Sequence, residues 1–307
     1  MPCPKLSMTQ KTGICFCLTL TLAVSLNVVR ADVITNFGRV LFVGDSITEG
    51  SASQADGDGN YSWRYSLWQN MIDAKASFDF VGSRNANYAG TTIYPSYSGL
   101  DFENRHEAIW GTTSLERSES LETHYSDLNR DGSNFAADTA FIMIGSNDVF
   151  TSRPAEEIAS NIQHIMDGLQ SANDSVSVYL ISVPPVFLVD TDGDGFRDAP
   201  WLGNPQLELL NDRLSALVVA ERTLNSRVVF IDVASSLKTE HFYDGIHPNG
   251  SGEKLIGDVV FASSSAAVPE PTSVLLLVFV LITFAGFRWF RSAKKQWRVG
   301  QSAKDLI

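Results

Sequence analysis

Five short apolar runs constrain the fold of this chain more than any other feature: VLFVG from Val40, FDFVG from Phe78, TAFIMIG from Thr139, SVYLISV from Ser177 and RVVFIDV from Arg227. None of them alternates polar with apolar residues, so each reads as a strand buried on both faces, as the strands of parallel sheets are. Helical spacing fills the intervals. In PAEEIASNIQHIMDGLQ, Pro154 opens a helix whose Ile158, Ile162, Ile165 and Leu169 share one face. In NPQLELLNDRLSALVVA, Asn204 reads as the cap and Leu207, Leu210, Leu214 and Leu217 as the stripe. A last helix, GEKLIGDVVFA, follows HPNG. This alternation predicts a three-layer α/β/α sandwich around a five-stranded parallel sheet, with any site in the crevice beyond the carboxyl ends of the strands.

Polar groups able to do chemistry collect at those ends. Ser46, in GDSITEG, lies just past the first strand, where its hydroxyl is either a helix N-cap or a nucleophile. Of the five histidines, His106, His124, His164, His241 and His247, the last lies after the final strand in a loop stiffened by Pro248, with Asp244 three residues earlier in DGIHPNG. That spacing lets a carboxylate fix the imidazole tautomer and stabilise the imidazolium. Asn147, in GSND after the third run, could point an amide N–H into the same crevice, or simply close a turn. Gly111, in HEAIWGTTS, could offer a bare backbone N–H to an oxyanion or be a flexible corner. Asp45 reads as a turn-shaping acceptor of backbone N–H groups.

In this order the four blocks resemble the SGNH, or GDSL, hydrolases, over residues 40–261. The resemblance implies a flavodoxin-like sheet, ester hydrolysis with no metal or cofactor, Ser46 as nucleophile, and His247 as base oriented by Asp244. It also implies an oxyanion hole formed by the N–H of Ser46, Gly111 and Asn147. GDGNYSWRYSLW, FDFVGS, HEAIWGTTS and DGIHPNGSGEKL are similar to the family 3 carbohydrate esterases and their xylanase-associated relatives, which implies acetylated polysaccharide as substrate. One departure stands out: Ala108 replaces the first glycine of the relatives' HEG, and Trp110 precedes Gly111. Two rival readings remain, a lipolytic esterase or thioesterase with the same triad, and a non-catalytic polysaccharide-binding surface protein. Tyr61, Trp63, Tyr94, Tyr97 and Trp110 fit either sugar stacking or ordinary packing.

The two ends read as targeting segments. Residues 1–31 combine Lys5 and Lys11, an apolar stretch and small residues Val29 and Ala31, the pattern of a cleaved signal peptide. All three cysteines, Cys3, Cys15 and Cys17, lie within it, leaving the body without a thiol or cysteine-ligated metal. A linker with the motif Val268, Pro269, Glu270, Pro271 (264–272) precedes an apolar segment (273–290) and a basic tail (291–307). This end resembles the PEP-CTERM sorting signal of Gram-negative bacteria, which implies an exosortase partner, a transient inner-membrane tether and delivery to the surface or matrix. Residues 38–263 are the expected hydrolase domain. Residues 32–268 carry 14 Lys+Arg against 33 Asp+Glu, a net of −19, which argues against nucleic acid or anionic lipid as partner. The loop DTDGDGFRD spaces Asp190, Asp192, Asp194 and Asp198 around Gly195 like a structural calcium loop, although Trp201 stands where a bidentate glutamate belongs; a solvated acidic turn fits it equally.

Overall fold

The computed structural model describes residues 36–50, 61–88, 94–122, 137–189, 199–200, 204–220 and 227–265, all within the compact unit Ile34–Ser265. The leader, the acidic loop 190–198 and the chain beyond Ser265 lie outside the described residues. So do His124 and the segment 273–290. Among the described residues no helix is long and apolar enough to cross a membrane.

The five apolar runs form five parallel strands: β1 (Asn36–Gly44), β2 (Ser77–Val81), β4 (Thr139–Met143), β5 (Ser177–Ile181) and β8 (Arg227–Ile231). Their order is β2-β1-β4-β5-β8, so the chain grows outward from β1 to β2 and then returns to the other side of β1 with β4. That reversal puts the topological switch point between the carboxyl ends of β1 and β4. The sequence reading missed β3 (Glu107–Ala108), a two-residue strand that pairs with Val43 and Gly44. It is too short to show any periodicity. A small antiparallel pair, β6 (Leu188–Val189) with β7 (Ala199–Pro200), lies apart from the main sheet.

Alternate residues of each strand enter opposite layers, as the two-residue period requires. Leu41, Val43, Ala140, Ile142, Val178 and Leu180 pack with Leu121 of α3 (Ser114–Glu122), with Ile158, Ile162 and Ile165 of α5 (Ala155–Ala172), and with Leu207, Leu210 and Leu214 of α6 (Asn204–Ala220). Val40, Phe42, Phe141, Met143 and Tyr179 face the other way, onto Trp63, Leu67 and Met71 of α2 (Trp63–Asp73) and Ile256 and Val260 of α7 (Gly250–Ser265). The expected stripes of α5 and α6 are therefore the inner faces of one layer.

Several details differ from expectation. Asn204 does not cap α6: its side chain accepts from the Val186 N–H at 2.9 Å and donates to the Val186 carbonyl, tying the helix start to the loop after β5. The final helix is capped by Asn249, whose Oδ1 accepts from the N–H groups of Ser251 and Gly252. It runs through Ser264 and Ser265, two buried residues at the start of the stretch read as linker. Tyr61, Trp63, Tyr94 and Tyr97 are packing residues in an aromatic cluster with Tyr65, Trp68 and Phe102, and only Trp110 of the five reaches the site described below.

The turn out of β1 is tightly closed. A Cβ on Gly44 would lie 2.3 Å from Thr48 Oγ1 and 2.6 Å from the Met143 carbonyl oxygen, so no side chain fits between β1, β4 and the helix that follows. Gly44→Ala should cost about 1–3 kcal/mol of stability through overpacking against backbone, seen as a lower midpoint in urea unfolding. An unchanged midpoint would show that the turn yields.

Candidate active site

Beyond Gly44 the chain turns at Asp45 into a single helical turn, α1 (Ser46–Glu49), which Gly50 ends at φ 84°. Asp45 is its N-cap, and Asp45 Oδ1 accepts from the Ile47 N–H at 3.1 Å. Burial pushes this carboxyl up to about 6, against the Ile47 hydrogen bond and the attraction of His247. Arg64, buried on α2, holds the other end of the turn. Its Nε donates to the Thr48 carbonyl at 2.8 Å and its Nη2 to the Glu49 carbonyl at 3.1 Å and to Asn104 Oδ1 at 2.7 Å. A cation on the free carbonyls of a helix C-terminus satisfies acceptors the helix cannot satisfy itself. Ser46 is thereby fixed from both ends, and it is only 7% exposed.

The imidazole of His247 arrives from the far end of the sequence. Asp244 Oδ1 accepts from the backbone N–H of Ile246 at 2.9 Å and of His247 at 2.7 Å, which wraps 244–247 into a tight turn around the carboxylate. Gly245, at φ 82°, supplies the left-handed corner that this turn needs. The other carboxylate oxygen, Oδ2, stands 2.8 Å from His247 Nδ1, and His247 Nε2 stands 3.1 Å from Ser46 Oγ. Asp244 thus orients both the backbone and the ring of His247. With Nδ1–H on the carboxylate, Nε2 is left to accept from the serine hydroxyl. Burial opposes the charge on Asp244, but the hydrogen bond and charge of His247 and the two backbone N–H groups outweigh it and bring the carboxyl down to about 2.

The other two candidates sit on adjoining loops. Asn147 lies in α4 (Ser146–Phe150), directly after β4, and its Nδ2 donates to the Thr112 carbonyl at 3.0 Å. An amide carries two N–H donors, and among the described residues only Thr112 takes one from Asn147, leaving the second for a ligand. Gly111, next to Thr112, is exposed at φ 74°, and a Cβ there would meet nothing within 4 Å. Backbone conformation, and not space, is what calls for glycine at this position. The loop carrying Gly111 is anchored at both ends. The Ile109 N–H donates to the Gly44 carbonyl at 3.1 Å, and Asp148 accepts from the Ser114 N–H at 2.7 Å and from the Ser114 hydroxyl at 2.8 Å. Asp148, read from sequence only as part of a turn, is this anchor, and burial raises its carboxyl against the Ser114 bonds and Arg153.

The remaining described histidines are engaged elsewhere. His106 is fully buried, with Nε2 on the Ala86 carbonyl at 3.0 Å and Nδ1 accepting from the Ala108 N–H at 3.1 Å. Burial and then Arg64 push its imidazole well below the usual range, so it is a neutral link between two backbones. His164 is exposed on α5, and His241 Nδ1 accepts from the Lys238 N–H. Two contributions to the site were not read from the sequence, that of Glu49 and the contact of Trp110 with His247. Glu49, inside GDSITEG itself, is buried, accepts from the Trp110 N–H at 2.5 Å and pairs with Arg84 at 3.2 Å. Trp110 stacks on His247, with ring centroids 4.5 Å apart and planes 21° from parallel. Among the described residues, no group of three or more His, Cys, Asp or Glu side chains is placed to hold a metal ion.

A hydroxyl, an imidazole and a carboxylate in one hydrogen-bonded line at the switch point of a parallel sheet are the equipment of an ester hydrolase. The chain belongs to the GDSL-like lipase/acylhydrolase family, whose model matches residues 42–255. It is a hydrolase that acts on esters, by chemistry that needs no cofactor. Solved structures share the fold: a family 3 carbohydrate esterase from Talaromyces cellulolyticus matches at a TM-score of 0.57 and 23% identity, covering 73% of this chain and 94% of that one. An acetyl esterase mutant with acetate ion matches at the same TM-score, identity and coverages. A Clostridium thermocellum family 3 carbohydrate esterase matches at 0.54 and 18%, covering 75% and 95%. No curated protein sequence matches.

The depressed pKa of Asp244 has a consequence for stability. A carboxyl that titrates at about 2 when folded and at 3.8 when free contributes stability that is complete above the free value and is lost as pH falls toward 2. Asp244→Asn should therefore be less stable than the wild type at neutral pH, with the gap closing between about pH 4 and pH 2 in a series of urea unfolding curves. A gap that stays constant across that window would remove the charge from the account.

Proposed function

We propose that this protein is an exported serine esterase that removes O-acetyl groups from polysaccharide through an acyl-enzyme. The observation that carries the reading is the line from Asp244 through His247 to Ser46, at 2.8 and 3.1 Å. In the first step His247 Nε2 takes the Ser46 proton as Oγ bonds to the acyl carbon. The carbonyl electron pair moves onto oxygen, where the free Asn147 N–H and the backbone N–H groups of Gly111 and Ser46 receive it. The imidazolium then gives its proton to the departing sugar oxygen, which leaves as the free hydroxyl. Water, deprotonated by the same nitrogen, attacks the acyl-serine; acetate is released as the imidazolium returns the proton to Ser46 Oγ.

Three observations support carbohydrate over lipid as the alcohol. The fold is shared with family 3 carbohydrate esterases and with an acetyl esterase whose structure contains acetate ion. Tyr88, 61% exposed, stacks on Trp110 beside the base and presents a ring to solvent. A net charge of −19 over residues 32–268 suits a neutral polymer better than an anionic one. The leader and the VPEP segment support export and surface sorting by an exosortase-type partner.

Acetate release from a panel of acetylated polysaccharides, with p-nitrophenyl acetate and a long-chain ester alongside, tests this reading. Ser46→Ala and His247→Ala should each abolish nearly all turnover with the fold retained. Asn147→Ala should lower kcat by about 10²- to 10³-fold, the usual cost of removing an oxyanion donor. Undiminished turnover by Ser46→Ala would sink the mechanism, and a preference for long acyl chains would sink the substrate assignment.

A further inference from the structure

Trp110 directly precedes Gly111, and the structure gives its ring a specific contact. Its ring lies 4.5 Å from that of His247 with planes 21° apart, Tyr88 stacks on it in turn at 4.3 Å and 23°, and Tyr243 lies near-parallel to His247 at 5.9 Å. Each ring is thus near-parallel to its neighbour. Trp110 is tied to the nucleophile's own helical turn. Its N–H donates to Glu49 Oε2, three residues after Ser46, and the Tyr88 N–H donates to the carbonyl of Gly50, the cap of that turn, at 3.3 Å. Glu49 is in turn held by Arg84.

We propose that Trp110 is a positioning residue for His247, a ring clamp anchored to α1 through Glu49. This rests on the esterase reading for its kinetic consequence, though not for its structural one. Two hydrogen bonds, Nδ1 to Asp244 and Nε2 to Ser46, hold the imidazole by its edge, and residual rotation of its plane about Cβ–Cγ is limited by what packs on its faces. A flat neighbour at stacking distance removes that rotation. The clamp also stays attractive when the imidazole takes up a proton, because an indole face attracts a cation. The charged groups around the ring are Asp244 on its own loop and Asp45 at the start of α1. With Glu49 anchoring the backbone N–H of Trp110 and Ser46 heading the same turn, base and nucleophile share one support. A shift of that turn carries both together.

The test compares full-length wild type, Trp110→Leu and Trp110→Phe by steady-state kinetics on p-nitrophenyl acetate, thermal unfolding and the downfield proton resonance of His247 Nδ1–H. Trp110→Leu should lower kcat by about 10²-fold with little change in KM, as a misplaced catalytic group does. It should also broaden or abolish the resonance. Trp110→Phe should restore both, since a flat ring is all that the clamp requires. A Trp110→Leu protein that keeps the resonance and kcat overturns the proposal, as does a Trp110→Phe protein as impaired as Trp110→Leu, or a wild type without the resonance. If the resonance behaves as expected while the wild type hydrolyses no ester, the clamp stands and the esterase reading falls.

Discussion

The site depends on where β1 stops. Gly44 is the last residue of the strand, with β4 on one side through Met143 and the two residues of β3 on the other through Ala108. Three loops therefore leave neighbouring strand ends, carrying Ser46, Gly111 and Asn147. The absence of a Cβ at Gly44 lets Thr48 and the Met143 carbonyl close over the turn, and this aims Ser46 back across the switch point. His247 comes from 201 residues further along the chain and meets the serine there, because β8 and α7 complete the sheet and the layer that α2 shares.

Holding the turn has required unusual burial of polar groups. Asp45, Glu49, Arg64, Asp148 and Glu253 are all nearly inaccessible, and each has partners that offset its desolvation. Glu253, on the last helix, accepts from the Trp63 N–H at 2.6 Å at the start of α2. Burial drives its carboxyl well above the usual range against that bond and the charge of Arg64. Arg64 itself is brought down to about 10 by burial, with Tyr94, Glu253 and Glu49 opposing the shift. Removing one partner from a network of this kind costs about 3–5 kcal/mol, because the others are left buried and unpaired. The network joins α1, α2 and α7, so the turn that carries Ser46 is coupled to the helix that follows His247.

Much of this was legible in the sequence, and the reason is physical. The inner strands β1, β4 and β5 are buried on both faces, so their apolar runs are continuous and easily read, whereas the edge strand β2 exposes Asp79 within FDFVG; the stripes of α5 and α6 follow a helical period. DGIH was legible because its chemistry is local: three residues suffice for Asp244 to bond the backbone and ring of His247. What stayed hidden depends on contacts between distant segments. β3 is two residues long and exists only because β1 has a free edge there. Asn204 looks like a cap, yet its amide meets Val186 across the fold. Glu49 and Trp110, 61 residues apart, are linked by one hydrogen bond that no local pattern encodes. Four aromatics that might have stacked on sugar belong instead to a core cluster on α2, because helical spacing does not reveal which face a ring will occupy.

The central claim is that Ser46 is the group made nucleophilic by His247. The most direct measurement is peptide mass spectrometry after brief exposure to a fluorophosphonate ester, comparing wild type with His247→Ala. A single adduct on the peptide carrying Ser46, formed rapidly in the wild type and scarcely at all without His247, is the predicted result. An adduct on another residue, or equal labelling of Ser46 in both proteins, would contradict the account.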